Sequence, residues 1–143
     1  MNIIGIDSGC TLVKIIEVDN KNRIINSEKI EKTSVENALN FFINKYKIDL
    51  KSIEKIVITG VGQEEITGNL LGIKTEKVDE LTAIGIGGTY LAGKKNALIA
   101  SIGTGTAIIK VEDGKVAHLG GTRFRWWNFY KSMQTTNRRK WYW

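Results

Sequence analysis

Short runs rich in apolar and β-branched residues, separated by polar segments, make up the first thirty residues. Runs of this length are typical of strands rather than helices. The runs cover Asn2–Ile6, Leu12–Val18 and Arg23–Ile30. The polar segment Asp7–Thr11 separates the first two runs, and an Asp-Asn-Lys-Asn cluster precedes the third. Because such short turns reverse the chain direction, the pattern predicts an antiparallel meander of three strands.

From residue 34 the apolar period changes to that of a helix. Ser34 opens a helix whose apolar face carries Val35, Ala38, Leu39, Phe42, Ile43 and Tyr46. The next predicted elements are a strand at Ile53–Thr59, a short helix at Gln63–Leu71, a short strand at Lys74–Val78 and a helix at Asp79–Leu91. Glycines at 85, 87 and 88 would let the last helix pack closely against a neighbour. This mixed order predicts the α/β class.

Beyond a boundary at residues 93–96, the opening pattern starts again. Strands are predicted at Ala97–Ser101, Thr106–Val111 and Lys115–Leu119, with a glycine- and threonine-rich turn between the first two. A repeated meander of this kind indicates an internal duplication. We therefore expect a first lobe over residues 1–93 and the beginning of a second over residues 94–122.

The last 21 residues differ in composition from the rest of the 143-residue chain. The formal net charge is +6, yet acidic and basic residues balance within residues 1–122. The excess positive charge and all four tryptophans fall in residues 123–143. A neutral globular part does not predict a nucleic-acid partner. The alternative is that the basic, aromatic tail binds single-stranded nucleic acid or an anionic membrane surface.

The single cysteine, Cys10, excludes an internal disulfide and a cysteine-rich metal site. No apolar run reaches the roughly 18–20 residues that cross a membrane. Asp7 interrupts the first apolar stretch, so no secretory signal is predicted. A free thiol suits a reducing compartment, and the expected location is cytoplasmic.

The turn from Asp7 to Thr11 is the first candidate for chemistry. Gly9 would let the backbone turn tightly and direct N–H groups toward an anion. Thr11 adds a hydroxyl, and Lys14 on the next strand would place an ammonium near a phosphate. Asp7, at the carboxyl end of the first strand, is placed to hold Mg²⁺ through water. Taken alone, the same residues are explained equally well by an ordinary hairpin turn.

A second turn of the same kind joins the first two strands of the second meander. It contains Gly103, Thr104, Gly105 and Thr106. Two such turns facing each other across a cleft would hold the phosphates of one nucleotide from both sides. The doubled pattern therefore favours phosphate binding over two unrelated structural turns.

These segments resemble the two phosphate loops of the superfamily that contains acetate and sugar kinases, heat-shock chaperone ATPases and actin. Within it, the sequence is most similar to the type II pantothenate kinase family. The similarity lies in Gly5–Lys14, Val78–Ala83, Ser101–Thr106, Asp113-Gly114 and His118–Gly121. It implies an actin-like (ribonuclease H-like) ATPase fold. The first lobe would be nearly complete, and the second would stop after its first meander.

The resemblance also implies ATP-dependent phosphorylation of pantothenate in coenzyme A biosynthesis, with Mg²⁺. Glu80 falls at the position of the family's catalytic acid and would act as general base toward the substrate hydroxyl. Without the resemblance, Glu80 is explained as a carboxylate favoured by a helix dipole. The implied nucleotide-binding residues are Asp7, Ser8, Gly9, Cys10, Thr11, Lys14, Gly103, Thr104, Gly105 and Thr106, with Asp7 also on the metal. The implied substrate-binding residues are His118, Gly120 and Gly121.

Three positions depart from the family pattern. Cys10 stands where relatives carry Gly or Thr, Ala107 where they often carry Ser, and His118 where some carry arginine. A lone histidine at the end of a strand is more often structural. Two other members of the superfamily stay open as alternatives. One is the activator of 2-hydroxyacyl-CoA dehydratases. Members of that family carry cysteines for an iron–sulfur cluster, and Cys10 does not lie at their position. The other is an N-acetylglucosamine-type sugar kinase.

The family continues after residue 122 with a glycine-rich segment that this chain lacks. With AGG chosen for the arginines, TTT for Phe124 and AAC for Asn128, the codons of Arg123–Asn128 read one base out of phase encode Gly-Leu-Gly-Gly-Gly-Thr. We therefore hypothesise that the sequence from about residue 123 is a frameshift product. The coding DNA tests this: if no downstream reading frame encodes a kinase-like continuation, the hypothesis is wrong. On this hypothesis, the chain alone binds nucleotide weakly and has little kinase activity. The family's homodimer, formed through the second lobe, is then not expected.

Overall fold

A computed structural model describes residues 1–103 and 105–122. Its contacts divide the chain into two compact units, Met1–Ala83 and Ile84–Trp143. The hypotheses about residues 123–143, namely the frameshift and the nucleic-acid or membrane surface, lie outside the described residues. Within the described part, no helix has both the length and the apolar character needed to span a membrane.

The first unit, which is described in full, is built on a five-stranded sheet. Its elements are β1 (Asn2–Ser8), β2 (Leu12–Val18), β3 (Ile24–Glu31), α1 (Val35–Tyr46), β4 (Ile53–Thr59), β5 (Thr75–Lys77) and the beginning of α2 (Glu80–Ala92), with 3₁₀ turns at Leu50–Ser52 and Val61–Glu65. β1, β2 and β3 form the predicted antiparallel meander. β4 and β5 join it in parallel, which gives the order β3-β2-β1-β4-β5.

α1 covers one face of this sheet and forms the core with it. The Ser34 hydroxyl accepts a hydrogen bond from the Asn37 N–H at 3.2 Å, so the helix begins as predicted. Lys47 ends it in the left-handed conformation, with φ of 51°. Burying each large apolar side chain contributes about 1.5–3 kcal/mol, so packing rather than intrinsic propensity holds α1 in place. The core side chains with no exposed surface are Ile4, Val13, Ile15, Ala38, Leu39, Phe42, Ile56 and Ile58.

The second unit contains the second predicted meander. Its strands are β6 (Ala97–Ile102), β7 (Thr106–Glu112) and β8 (Lys115–Thr122), in the order β6-β7-β8. The part of α2 from Ile84 onward packs on this sheet through two of its glycines. A Cβ on Gly88 would lie 2.5 Å from the Ile99 side chain, and one on Gly85 would lie 3.0 Å from Val116. This close packing explains why the units divide after residue 83, whereas the sequence suggested a boundary near residue 93.

The prediction of a helix at Gln63–Leu71 is wrong. A 3₁₀ turn at Val61–Glu65 replaces it, and the chain then extends to an isolated bridge between Leu70 and Ile73. Leu70 and Ile73 both enter the core, and the Thr75 hydroxyl accepts a hydrogen bond from the Leu70 N–H at 2.9 Å. Tertiary burial therefore overrides the helical spacing of this segment.

Candidate functional site

Three parallel strands of the first unit end side by side at one edge of its sheet. β4 lies between β1 and β5, and Asp7 on β1 is in register with Thr59 on β4. The Val78 N–H donates to the Ile58 carbonyl at 2.9 Å, which keeps the chain beside β4 as it leads into Glu80. Neighbouring strands lie about 4.8 Å apart, so the ends of β1 and β5 are roughly 10 Å from each other. Open α/β sheets bind their ligands at this edge.

The turn between β1 and β2 has two donors available at its tip. The Gly9 N–H donates to the Leu12 carbonyl at 3.0 Å and closes the hairpin. This N–H is therefore not available to an anion. Gly9 does not adopt a positive φ, but a Cβ there would lie 3.1 Å from the Leu12 carbonyl oxygen. The N–H groups of Cys10 and Thr11 form no hydrogen bond with another described residue. These two N–H groups are therefore the donors of the turn that have no partner in the described part of the chain.

Asp7 and Lys14 lie directly opposite each other on β1 and β2 and form an ion pair. The Lys14 Nζ donates to the Asp7 Oδ2 at 2.8 Å, and both side chains are partly exposed. The structure thus brings these two predicted residues together, with the lysine on the carboxylate. An exposed pair of this kind contributes only about 0–1 kcal/mol, so a bound metal or phosphate replaces it at small cost.

Two glycines that the sequence reasoning missed pack against the end of β1. Ser8 is fully buried, and a Cβ on Gly62 would lie 2.0 Å from its Oγ. A Cβ on Gly60 would lie 2.6 Å from the Ser8 carbonyl oxygen and 3.0 Å from the Asp7 Oδ1. The signal for this contact was a Gly-Val-Gly segment immediately after a buried strand. Because Ser8 has no exposed surface, its nucleotide role stays a prediction.

Thr59 supplies an unsatisfied oxygen beside Asp7. Its Oγ1 is buried without a hydrogen-bond partner in the described part of the chain. An unmade hydrogen bond of this kind costs about 1–3 kcal/mol, so the position suits a ligand that completes it. Among the described residues there is no cluster of three or more His, Cys, Asp or Glu. One carboxylate beside one hydroxyl fits Mg²⁺, which takes most of its ligands from water and phosphate.

Glu80 begins α2 and is exposed. The preceding residue, Asp79, caps the helix: its Oδ1 accepts a hydrogen bond from the Thr82 N–H at 2.9 Å. Hydrogen bonds from the Thr82 side chain and N–H hold the pKa of the Asp79 carboxyl below its usual value. Because Asp79 already caps the helix, the Glu80 carboxylate is left without a capping role. Two explanations of Glu80 stay open: it acts as the general base, or it is a carboxylate favoured by the helix dipole.

The turn between β6 and β7 lies in the second unit. Ile102 pairs with Thr106 across its base, and the Gly103 N–H donates to the Gly105 carbonyl at 2.9 Å. Thr104 lies outside the described residues. As in the first turn, the N–H of the leading glycine is used within the turn itself. The joint hold of the two turns on one nucleotide stays a prediction, since they belong to different units.

The predicted substrate residues lie on β8, at one edge of the second sheet. Gly121 has φ of 150°, and a Cβ there would lie 2.0 Å from the Thr106 carbonyl oxygen, so the pairing of β7 with β8 requires glycine. A Cβ on Gly120 would meet nothing within 4 Å. His118 is exposed opposite Ile109. The glycine at 121 thus has a structural reason, and the substrate role of all three residues stays a prediction.

Lys32 is a second feature of the site that the sequence reasoning missed. It directly follows β3, and its N–H donates to the Thr11 carbonyl at 3.0 Å. Its Nζ donates to the Ser8 Oγ at 3.1 Å and to the Gly9 carbonyl at 3.0 Å. The available signal was its place two residues beyond the predicted third strand.

Comparison with known proteins identifies the fold. No protein-family model matches the chain, and no curated protein matches it. Among solved structures, the activator of the 2-hydroxyisocaproyl-CoA dehydratase from Clostridium difficile, with bound ADPNP, is 22% identical with a TM-score of 0.63. Component A of the (R)-2-hydroxyglutaryl-CoA dehydratase from Acidaminococcus fermentans is 19% identical with a TM-score of 0.66. The fold is that of the actin-like ATPases.

A ROK family glucokinase from Streptomyces griseus, in complex with glucose and AMPPNP, is 17% identical with a TM-score of 0.58. The match to the C. difficile activator covers 85% of this chain and 45% of that protein. The match to the A. fermentans component covers 85% and 46%, and that to the glucokinase 82% and 46%. The chain therefore spans less than half the length of these structures. The predicted actin-like fold is confirmed.

Proposed function

We propose that the chain is the phosphate-binding part of an ATP-dependent kinase and that its phosphoryl acceptor is pantothenate. The observation that carries this proposal is the parallel order of β1, β4 and β5, which brings Asp7, Thr59 and Glu80 to one edge of the sheet. Adenine nucleotide analogues are bound to the C. difficile activator and to the S. griseus glucokinase, which supports ATP as the ligand.

The residues at this edge have separate roles in the proposed reaction. The N–H groups of Cys10 and Thr11 donate to phosphate oxygens and orient the γ-phosphoryl group. Asp7 and Thr59 would hold Mg²⁺, which when bound neutralises charge on the phosphates. The Glu80 carboxylate accepts the proton of the acceptor hydroxyl while that oxygen bonds to the γ-phosphorus and the bond to ADP breaks.

Pantothenate as acceptor rests on the sequence resemblance to the type II pantothenate kinases. The second candidate is an ATPase activator of a 2-hydroxyacyl-CoA dehydratase, which the two matched activator structures favour. A third is a sugar kinase, because a glucokinase and a putative N-acetylmannosamine kinase from Listeria monocytogenes share the fold. Turnover with pantothenate, with N-acetylglucosamine and without acceptor, measured on the protein with the downstream reading frame restored, separates the three.

Nucleotide binding is tested first, by NMR titration of the full chain with Mg²⁺–ATP. Because the proposed donors contact phosphates, millimolar ATP and inorganic tripolyphosphate should both shift the amide signals of Gly9, Cys10 and Thr11. Adenosine, which carries no phosphate, is the matched control and should leave those signals unchanged. If neither phosphate ligand shifts them, the proposed function is wrong.

The role of Glu80 is tested by a matched pair of variants. Glu80→Gln and Glu36→Gln each remove one carboxylate from the first turn of a helix, so both lose the same dipole interaction. In the protein with the downstream reading frame restored, only Glu80→Gln should reduce phosphoryl transfer, by about 10²–10⁴-fold for a lost general base, and it should leave ATP affinity unchanged. Equal turnover in the two variants would remove Glu80 from the role of base.

A further inference from the structure

Lys32 makes three hydrogen bonds to the end of β1 and the turn between β1 and β2. Its backbone N–H binds the Thr11 carbonyl, and its ammonium binds the Gly9 carbonyl and the Ser8 hydroxyl, all at 3.0–3.1 Å. These contacts engage two carbonyl groups of the turn on the β3 side. The N–H groups of Cys10 and Thr11 are left without a partner in the described part of the chain. Lys32 therefore fixes which polar groups of the turn face an incoming anion.

Lys32 also differs from Lys14 in its charge environment. Lys14 is paired with the Asp7 carboxylate at 2.8 Å, so its charge is compensated at the site. Lys32 is exposed, and within the described residues its ammonium contacts a carbonyl and a hydroxyl but no carboxylate. An ammonium has three N–H donors, of which these contacts use two. The remaining donor and the uncompensated charge lie within hydrogen-bonding distance of the turn.

We propose that Lys32 is a positioning residue that orders the β1–β2 turn and supplies the positive charge that attracts the triphosphate to it. This inference rests on the proposed function, because it assigns a role in binding the same phosphates. Its two parts are separable. The ordering of the turn exists without ligand, whereas the attraction appears only with a phosphate ligand present.

The ordering is measured in the free protein by amide hydrogen exchange at Gly9, whose N–H closes the hairpin. Lys32→Met removes a charge-assisted contact to the Gly9 carbonyl and should lower the protection of that amide by about tenfold. Lys32→Arg keeps the charge and the donors and should restore most of the protection. Lys51→Met, in the same unit, removes one exposed lysine charge and should leave Gly9 unchanged. Unchanged protection in Lys32→Met would overturn the proposal.

The attraction is measured as tripolyphosphate affinity at several salt concentrations. Lys32→Met should weaken binding by about tenfold and flatten its salt dependence, because one charge fewer meets the anion. Lys32→Arg should keep the wild-type slope, and so should Lys51→Met. Lost amide protection with unchanged affinity and slope would mean that Lys32 is purely structural, and the proposal fails. If the wild-type chain binds no phosphate ligand, the proposed function fails, and the exchange result alone still decides whether Lys32 orders the turn.

Discussion

Gly60→Ala tests the packing of the carboxyl edge of the first sheet. Gly60 has φ of 86° and ψ of 179°, a backbone region that is essentially restricted to glycine and costs other residues about 1–3 kcal/mol. The added Cβ would also lie 2.6 Å from the Ser8 carbonyl oxygen, which is backbone and has no flexible end to move. Overpacking of this kind costs about 1–3 kcal/mol more.

The two costs together predict a loss of about 4 kcal/mol, or about three orders of magnitude in the unfolding equilibrium constant. Urea unfolding followed by far-ultraviolet circular dichroism measures this loss. The same Cβ would lie 3.0 Å from the Asp7 Oδ1, so the variant should also bind Mg²⁺–ATP more weakly than its remaining folded fraction explains.

Gly68→Ala is the matched control for Gly60→Ala. A Cβ at Gly68 would meet nothing within 4 Å, and Gly68 is not among the positive-φ residues of the described chain. We expect its stability to stay within about 0.5 kcal/mol of wild type, as for most surface changes. A Gly60→Ala protein as stable as this control would refute the close approach of Gly60 to β1.

Two further predictions concern stability alone. Hydrogen bonds from Lys55 and Lys74 lower the pKa of Glu76 from 4.5 to about 2, so the stabilisation is complete above pH 4.5 and is lost as the pH falls through 2. Glu76→Gln should therefore flatten the pH dependence of urea unfolding within that window, and an unaltered profile would contradict the pairing. Gly87 lies inside α2 with open space around its missing Cβ, so Gly87→Ala should stabilise the helix by about 0.5–1 kcal/mol. A lower melting temperature for Gly87→Ala would argue against that open space.

The strands of the first meander and α1 were predictable because their apolar residues follow a local period. β2 alternates between the core and the opposite face, and α1 begins at a serine that caps it in the structure. The segment after β4 was not predictable in this way. Gly60 and Gly62 pack against Ser8 at the end of β1. Residues some fifty positions apart make this contact, so it cannot be predicted from the spacing of apolar residues along the segment.

Some residues of the candidate site were predictable from the sequence, and others were not. Asp7 was indicated because a polar residue at the end of a buried strand falls at the carboxyl edge of a sheet. Thr11 was indicated by its hydroxyl in the glycine-containing turn, and Glu80 only by the family resemblance. Lys32 and Thr59 were missed for a different reason. Lysine after a strand and threonine within one are ordinary surface and strand residues. Only the pairing of β3 with β2 places Lys32 beside the turn, and only the pairing of β4 with β1 places Thr59 beside Asp7.

In the proposed function, phosphate binding is separated from the choice of acceptor. Asp7, Thr59, Lys32 and the turn N–H groups offer charges and hydrogen bonds that suit any triphosphate, and none of them distinguishes one hydroxyl acceptor from another. A glucokinase and dehydratase activators share this fold, as expected where the fold supplies a common scaffold and local sites decide the reaction. Acceptor recognition must therefore come from side chains beyond this edge. This is why the pantothenate assignment depends on comparative turnover, whereas the nucleotide assignment depends on the turn itself.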